Sequence, residues 1–210
     1  MTRRIAPWSG LLLGVALLVM AAVAATSTRY RPATSVGAVP RAAHPAYRHE
    51  QASAAWASAG VPVRLRIRAL DVDAPVRAVG VGHDGALGVP ENPRVLGWWS
   101  GSALPGQPRG SVVVDGHVDS ARTGEGALFH LAQLVPGAQI LVTTTAGTAT
   151  YVVTARAIYA RSSLPRQVFD QHGAARLVLL TCGGSFNRRT HHYDDNVVVF
   201  ATPLPVKELS

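Results

Sequence analysis

The chain has 210 residues, room for one domain of ordinary size and an appendage, and its 20 Lys and Arg against 12 Asp and Glu leave a formal charge of +8. Arg3, Arg4, Arg29, Arg31, Arg41 and Arg48, opposed up to Gly60 only by Glu50, supply 6 − 1 = +5 of that charge, so the other 150 residues carry only +3 and lack the basic, aromatic-studded face of a nucleic-acid-binding domain. A single cysteine excludes an internal disulfide, and no CxxC or Cys/His ligand set points to structural zinc, so the fold must rest on packing.

Arg3 and Arg4 precede an uncharged span that runs from Trp8 to Ala25, 18 residues mostly of Leu, Val and Ala. That length is near the lower limit for crossing a hydrocarbon core of about 30 Å. The basic residues before it predict a cytoplasmic N-terminus and an extracytoplasmic body, although Arg29 and Arg31 weaken the asymmetry. Residues 1–25 are therefore expected to be a single-pass anchor in the cell membrane. Ala22-Val23-Ala24 also fits the small-residue pattern of signal-peptide cleavage, which leaves secretion as the alternative. Residues 26–60, rich in Ala, Pro, Ser and Arg without apolar periodicity, read as a flexible linker.

From Val61 the texture changes, and residues 61–210 form the expected domain. Val63 to Arg68 alternates apolar and basic residues, the period of a strand with one wet face. Asp71 to Pro75 reads as a turn and Val76 to Val81 as a second strand. Val95 to Trp99 brings two adjacent tryptophans that point to opposite faces if extended. Ser111 to Asp115 is a strongly β-branched strand. Gly124 to Val135 is the best helical candidate, with Leu128, Phe129, Leu131 and Leu134 on one face before Pro136-Gly137. Gln139 to Thr144 and Thr148 to Tyr159 flank an Ala146-Gly147 hairpin signal. One helical turn is expected around Val168 and Phe169, and the last strand over Asn196 to Thr202. About eight short strands with brief helices predict an all-β closed barrel or a sandwich.

Leu177 to Leu180 then delivers Thr181-Cys182 to Gly183-Gly184. The apolar run suits a strand buried on both faces, and the glycines are expected to end it and leave room beside the sulfur. Both a nucleophile and a buried structural thiol fit this run alone. His117, after Asp115-Gly116, stands at a strand end in the same way. An imidazole beside a thiol can stabilise the thiolate and later protonate a leaving amine.

Gly116-His117-Val118-Asp119 after one apolar strand, Leu180-Thr181-Cys182 on another, and the tail Tyr193-Asp194-Asp195-Asn196-Val197-Val198-Val199 resemble the sortase family, and within it the actinobacterial sortases grouped as class F or class E. The resemblance runs from about Val61 to the C-terminus and includes an N-terminal anchor and stalk. It implies a closed eight-stranded β-barrel and a cysteine transpeptidase. Such an enzyme cleaves a Leu-Pro-x-Thr-Gly-like sorting signal on surface proteins, holds the acyl group as a thioester, and passes it to an amine of a cell-wall precursor or a pilin. Cys182 would be the nucleophile and His117 the acid–base residue.

The family's arginine on the last strand is where this sequence departs. Asn196 and, two residues earlier on the same face, Asp194 take its place. Arg188 and Arg189 follow Cys182 by six and seven residues, and Arg189 is the expected substitute for stabilising the thiolate or oxyanion. His191-His192 point apart on an extended chain, and no carboxylate cluster offers the six to eight oxygens of calcium, so neither metal nor cofactor is expected. Two alternatives stay open: a peptidase or amidase that uses water as acceptor, and a barrel without activity.

Overall fold

The computed structural model describes residues 34–39, 58–83 and 85–205; the expected anchor, residues 1–25, lies outside the described residues. Among these the strands are β1 (Val36–Gly37), β2 (Pro62–Ile67), β3 (Val72–Val79), β4 (Leu96–Trp99), β5 (Ser111–Asp115), β6 (Asp119–Ser120), β7 (Gly124–Glu125), β8 (Gln139–Thr144), β9 (Gly147–Ala160), β10 (Arg176–Asn187) and β11 (His192–Pro203). Eight of them close a ring in the order β9-β11-β10-β5-β4-β3-β2-β8, and β8 pairs back onto β9. The expected eight-stranded barrel is therefore formed. β6 and β7 make a separate small hairpin.

Alternation decides what faces inward. Leu65 and Ile67 of β2, Val112 and Val114 of β5, Leu177 and Leu179 of β10, and Val197 and Val199 of β11 fill the barrel with Leu96, Trp98, Ile140, Val142 and Tyr151. Each such buried side chain contributes about 1.5–3 kcal/mol. The opposite faces of β9, β10 and β11 are apolar too: Ala155, Ala157, Val178, Val198 and Phe200 form a second cluster with Val168, against which Leu164, Phe169, Tyr159 and Leu180 pack. Burial on both faces explains why Leu177 to Leu180 shows no polar alternation. The segment 161–175 covers this second cluster, and it carries two 3-10 turns, Arg161–Ser163 and Arg166–Phe169, rather than one. The two tryptophans part as expected, Trp98 into the barrel and Trp99 edge-on against Phe169 at 5.8 Å.

Four expectations need correction. The first turn comes earlier than Asp71 to Pro75: a 3-10 turn at Arg68–Leu70 ends on Asp71 in the left-handed region (φ 53°), and β3 starts at Val72. Arg64 and Arg66 then both reach Asp73 across the hairpin and hold its carboxyl down at about 2.

The predicted helix over Gly124 to Val135 is only β7 and a 3-10 turn at Leu131–Gln133. Two of its backbone donors find tertiary acceptors, Ala127 N–H on Pro93 O and Leu128 N–H on His117 O, and Phe129, Leu131, Gln133 and Leu134 donate to the residue three before, not four. Leu128, Leu131 and Leu134 are fully buried plugs while Phe129 is exposed, a spacing of three residues that suits 3-10 turns better than an α-helix.

Gly183-Gly184 does not end the cysteine strand. β10 continues to Asn187 and forms a hairpin with β11, which starts at His192, earlier than expected; the register shifts between Gly183 and Phe186, and Gly184 takes φ 79°. The glycines make a bulge.

Within residues 26–60, Val36 and Gly37 pair with Arg156 and Ala155 of β9. The buried Arg156 guanidinium donates to Thr34 O at 2.7 Å, and Val39 packs on the second cluster. This part of the expected linker is thus sheet. Its two-residue strand was too short to show a period.

Candidate active site

β5 and β10 lie side by side and parallel, in register from Ser111↔Arg176 to Asp115↔Leu180. His117 and Cys182 each stand two residues past that last pair, so both are delivered to the same level on neighbouring strands, which run about 4.8 Å apart. Two hydrogen bonds hold the level: Gly116 N–H donates to Leu180 O at 3.1 Å, and the buried Thr181 hydroxyl donates to Gly116 O at 2.7 Å. On the other edge of β10, Asn196 of β11 is the partner of Cys182, and Tyr159 of β9 is the partner of Asn196. Cys182 follows Val178 and Leu180 by alternation, so it lies on the face of the second apolar cluster, where residues 161–175 pack.

His117 is half-buried, and its Nε2 lies 2.9 Å from Pro90 O. A carbonyl only accepts, so Nε2 is the donor in this bond, which fixes the orientation of the ring. The loop after His117 is tethered as well: Tyr193 of β11 donates its phenol to Asp119 Oδ2, and a Cβ on Gly126 would stand 2.2 Å from His117 O.

Cys182 is exposed, which removes the reading of an inert core thiol. Partial desolvation nonetheless pushes its thiol pKa up; the positive charge of Arg161 opposes this, and the carboxylates of Asp119 and Asp115 add to it. Asp115 itself is buried beside Gly97, its Oδ1 without a hydrogen bond, and desolvation raises its carboxyl to about 7. Arg188 and Arg189 are exposed in the turn between β10 and β11, where the Arg189 amide donates to Asn187 Oδ1.

The register of β5 and β10 therefore sets Cys182 and His117 at a common level, and Arg189 lies in the hairpin turn. Sequence reasoning missed Thr181, Pro90 and Arg161. Thr181 precedes the cysteine and Arg161 follows the end of β9, whereas Pro90 reaches His117 from 27 residues away, which only the fold reveals. Among the described residues no group of three His, Cys, Asp or Glu could hold a metal.

A thiol and an imidazole set at one level by parallel strands of a closed barrel define a candidate cysteine–histidine enzyme. The sequence matches the family model of the sortase domain over residues 65–204, two thirds of the chain, and the chain belongs to the sortase family of cysteine transpeptidases. Its fold is similar to Streptococcus agalactiae sortase C1 in complex with MTSET (TM-score 0.54, 20% identity, 70% of this chain and 69% of that one). It is similar likewise to a lid mutant of sortase A from Corynebacterium diphtheriae (TM-score 0.54, 19% identity, 72% and 74% covered) and to Streptococcus pneumoniae sortase C (TM-score 0.53, 18% identity, 68% and 67% covered). No curated protein matches the chain.

Proposed function

We propose that this sortase is anchored in the cell membrane by residues 1–25, acts outside the cytoplasm in the manner of the class F or class E enzymes, and cleaves a Leu-Pro-x-Thr-Gly-like sorting signal between Thr and Gly. The observation that carries the reading is the parallel register of β5 and β10, past whose last pair, Asp115↔Leu180, His117 and Cys182 each stand by two residues. The Cys182 thiolate attacks the Thr carbonyl carbon. The C–N bond to Gly breaks, and imidazolium His117 gives its proton to the leaving amine, which leaves a thioester. An acceptor amine, from a cell-wall precursor or a pilin lysine, then attacks the thioester. Its proton goes to His117 and the thiolate is released. The pilus enzymes among the structural neighbours, such as the one described as sortase C2 of Group B Streptococcus pilus island 1, support a pilin or another surface protein as client.

The test is mass spectrometry of the full chain incubated with a Leu-Pro-x-Thr-Gly peptide, with and without added amine. The wild type is expected to gain the acyl mass and to transfer it to the amine, Cys182→Ala to do neither, and His117→Ala to lose turnover. Acyl loss at equal rates with and without amine would replace transfer by hydrolysis. No adduct with this peptide or its Leu-Ala-x-Thr-Gly variant would overturn the reading in favour of an inactive barrel.

A further inference from the structure

A thiol that its surroundings desolvate, with Asp115 and Asp119 nearby, needs a positive charge to ionise and react. The last strand supplies none at the level of the sulfur. Asn196 is the partner of Cys182, and the residue two before it on the same face is Asp194.

The end of the next strand over brings one within two residues of that level. β9 runs antiparallel to β11 with Asn196↔Tyr159 and Asp195↔Ala160 as their last pairs, so the following residue, Arg161, leaves β9 at the level of Asp194. Tyr159 packs on the second apolar cluster, the face on which Cys182 lies, and Arg161 stands two residues on, at the start of the segment that covers this face. Its side chain is exposed and makes no ion pair among the described residues. Its charge acts on the Cys182 thiol against the two carboxylates. Arg188 and Arg189 lie beyond the bulge.

We infer that Arg161, from the end of β9, supplies the cationic partner of the Cys182 thiolate and of the oxyanion, taking over from β11, where this chain carries Asp194 and Asn196. The oxyanion half rests on the transpeptidase reading, whereas the thiolate half does not.

The experiment is the pH profile of Cys182 alkylation by iodoacetamide, read by mass spectrometry on the full chain. It needs no sorting signal, so it separates failure of this inference from failure of the proposed activity. Arg161→Ala is expected to move the profile to higher pH and slow alkylation at neutral pH roughly two- to fivefold, the scale of an exposed charge pair. Arg161→Lys is expected to stay near wild type, and Asp119→Asn, which keeps an acceptor for Tyr193, to move the profile to lower pH. In the acyl-transfer assay Asp194→Arg placed in Arg161→Ala is expected to restore part of the lost rate. A profile of folded Arg161→Ala that overlays wild type, or a shift produced by Arg189→Ala instead, would overturn the inference. If wild type transfers nothing but Arg161→Ala still shifts the profile, the thiolate assignment stands and the oxyanion role falls.

Discussion

The Thr181 hydroxyl donates to the Gly116 carbonyl at 2.7 Å in a buried setting, which ties the residue before the thiol to the residue before the imidazole. Thr181→Val keeps the shape and removes the donor. A buried carbonyl that loses a partner costs about 1–3 kcal/mol, and the strand ends lose the bond that sets their common level. We expect lower stability in urea and a fall in kcat larger than any change in KM, with Thr181→Ser close to wild type in both. Equal kcat for Thr181→Val and wild type would show that the bond serves stability alone.

Asp115 links folding to pH with a definite sign. Its carboxyl rises from 3.8 to about 7 on burial, so the folded state holds a proton that the unfolded state has released. Stability therefore falls as pH rises from about 4 to about 7 and levels off above, by at most on the order of 4 kcal/mol. Asp115→Asn carries no such proton. Thermal melts should show the variant more stable than wild type at pH 8 and the difference closing toward pH 4; parallel curves would mean that Asp115 stays ionised in the fold.

Two nearby glycines should respond to alanine to different degrees. At Gly126 the new Cβ meets backbone, His117 O at 2.2 Å, so the chain carrying the imidazole must shift. Overpacking of this kind costs about 1–3 kcal/mol, and loss of acyl transfer should accompany it. At Gly124 nothing lies within 4 Å of the added Cβ and only the φ of 75° opposes it, a cost of about 1–2 kcal/mol. Denaturation midpoints and transfer rates of the two variants check this directly.

A chain begun at Val61 should fold less stably than the full chain. It lacks Thr34 O, the acceptor of the buried Arg156 Nη2, and Val39, which packs on the second cluster. A lost hydrogen bond to a buried charged group alone costs about 1–3 kcal/mol. Equal urea midpoints for the two chains would show that β1 contributes nothing to stability.

Much of the barrel was legible in the residues themselves. The alternation of Val63 to Arg68, the β-branched run at Ser111 to Asp115, and the apolar runs before Cys182 and after Asn196 each name a strand, because period-two burial is a local property. The same runs end at His117 and Cys182, and their residue types carry the chemistry. The helix expected at Gly124 to Val135 failed because its leucines answer to the barrel interior and the amide protons of Ala127 and Leu128 to Pro93 and His117, partners distant in sequence. The strand at Val36–Gly37 was hidden for the same reason: two residues have no period, and only the β9 edge gives them a place.

What the sequence by itself determined is most strands of the barrel, the single thiol, and the absence of an arginine on the last strand at the expected places. Only the tertiary structure decided which neighbours those groups have. Parallel pairing of β5 with β10 set the imidazole level with the thiol, and antiparallel pairing of β9 with β11 brought the end of β9, and Arg161 with it, alongside Asp194. Arg161 is 21 residues before Cys182 in the chain, whereas Arg189 is seven after it. Separation along the chain does not rank them, because electrostatic interaction depends on distance in space, which strand pairing determines.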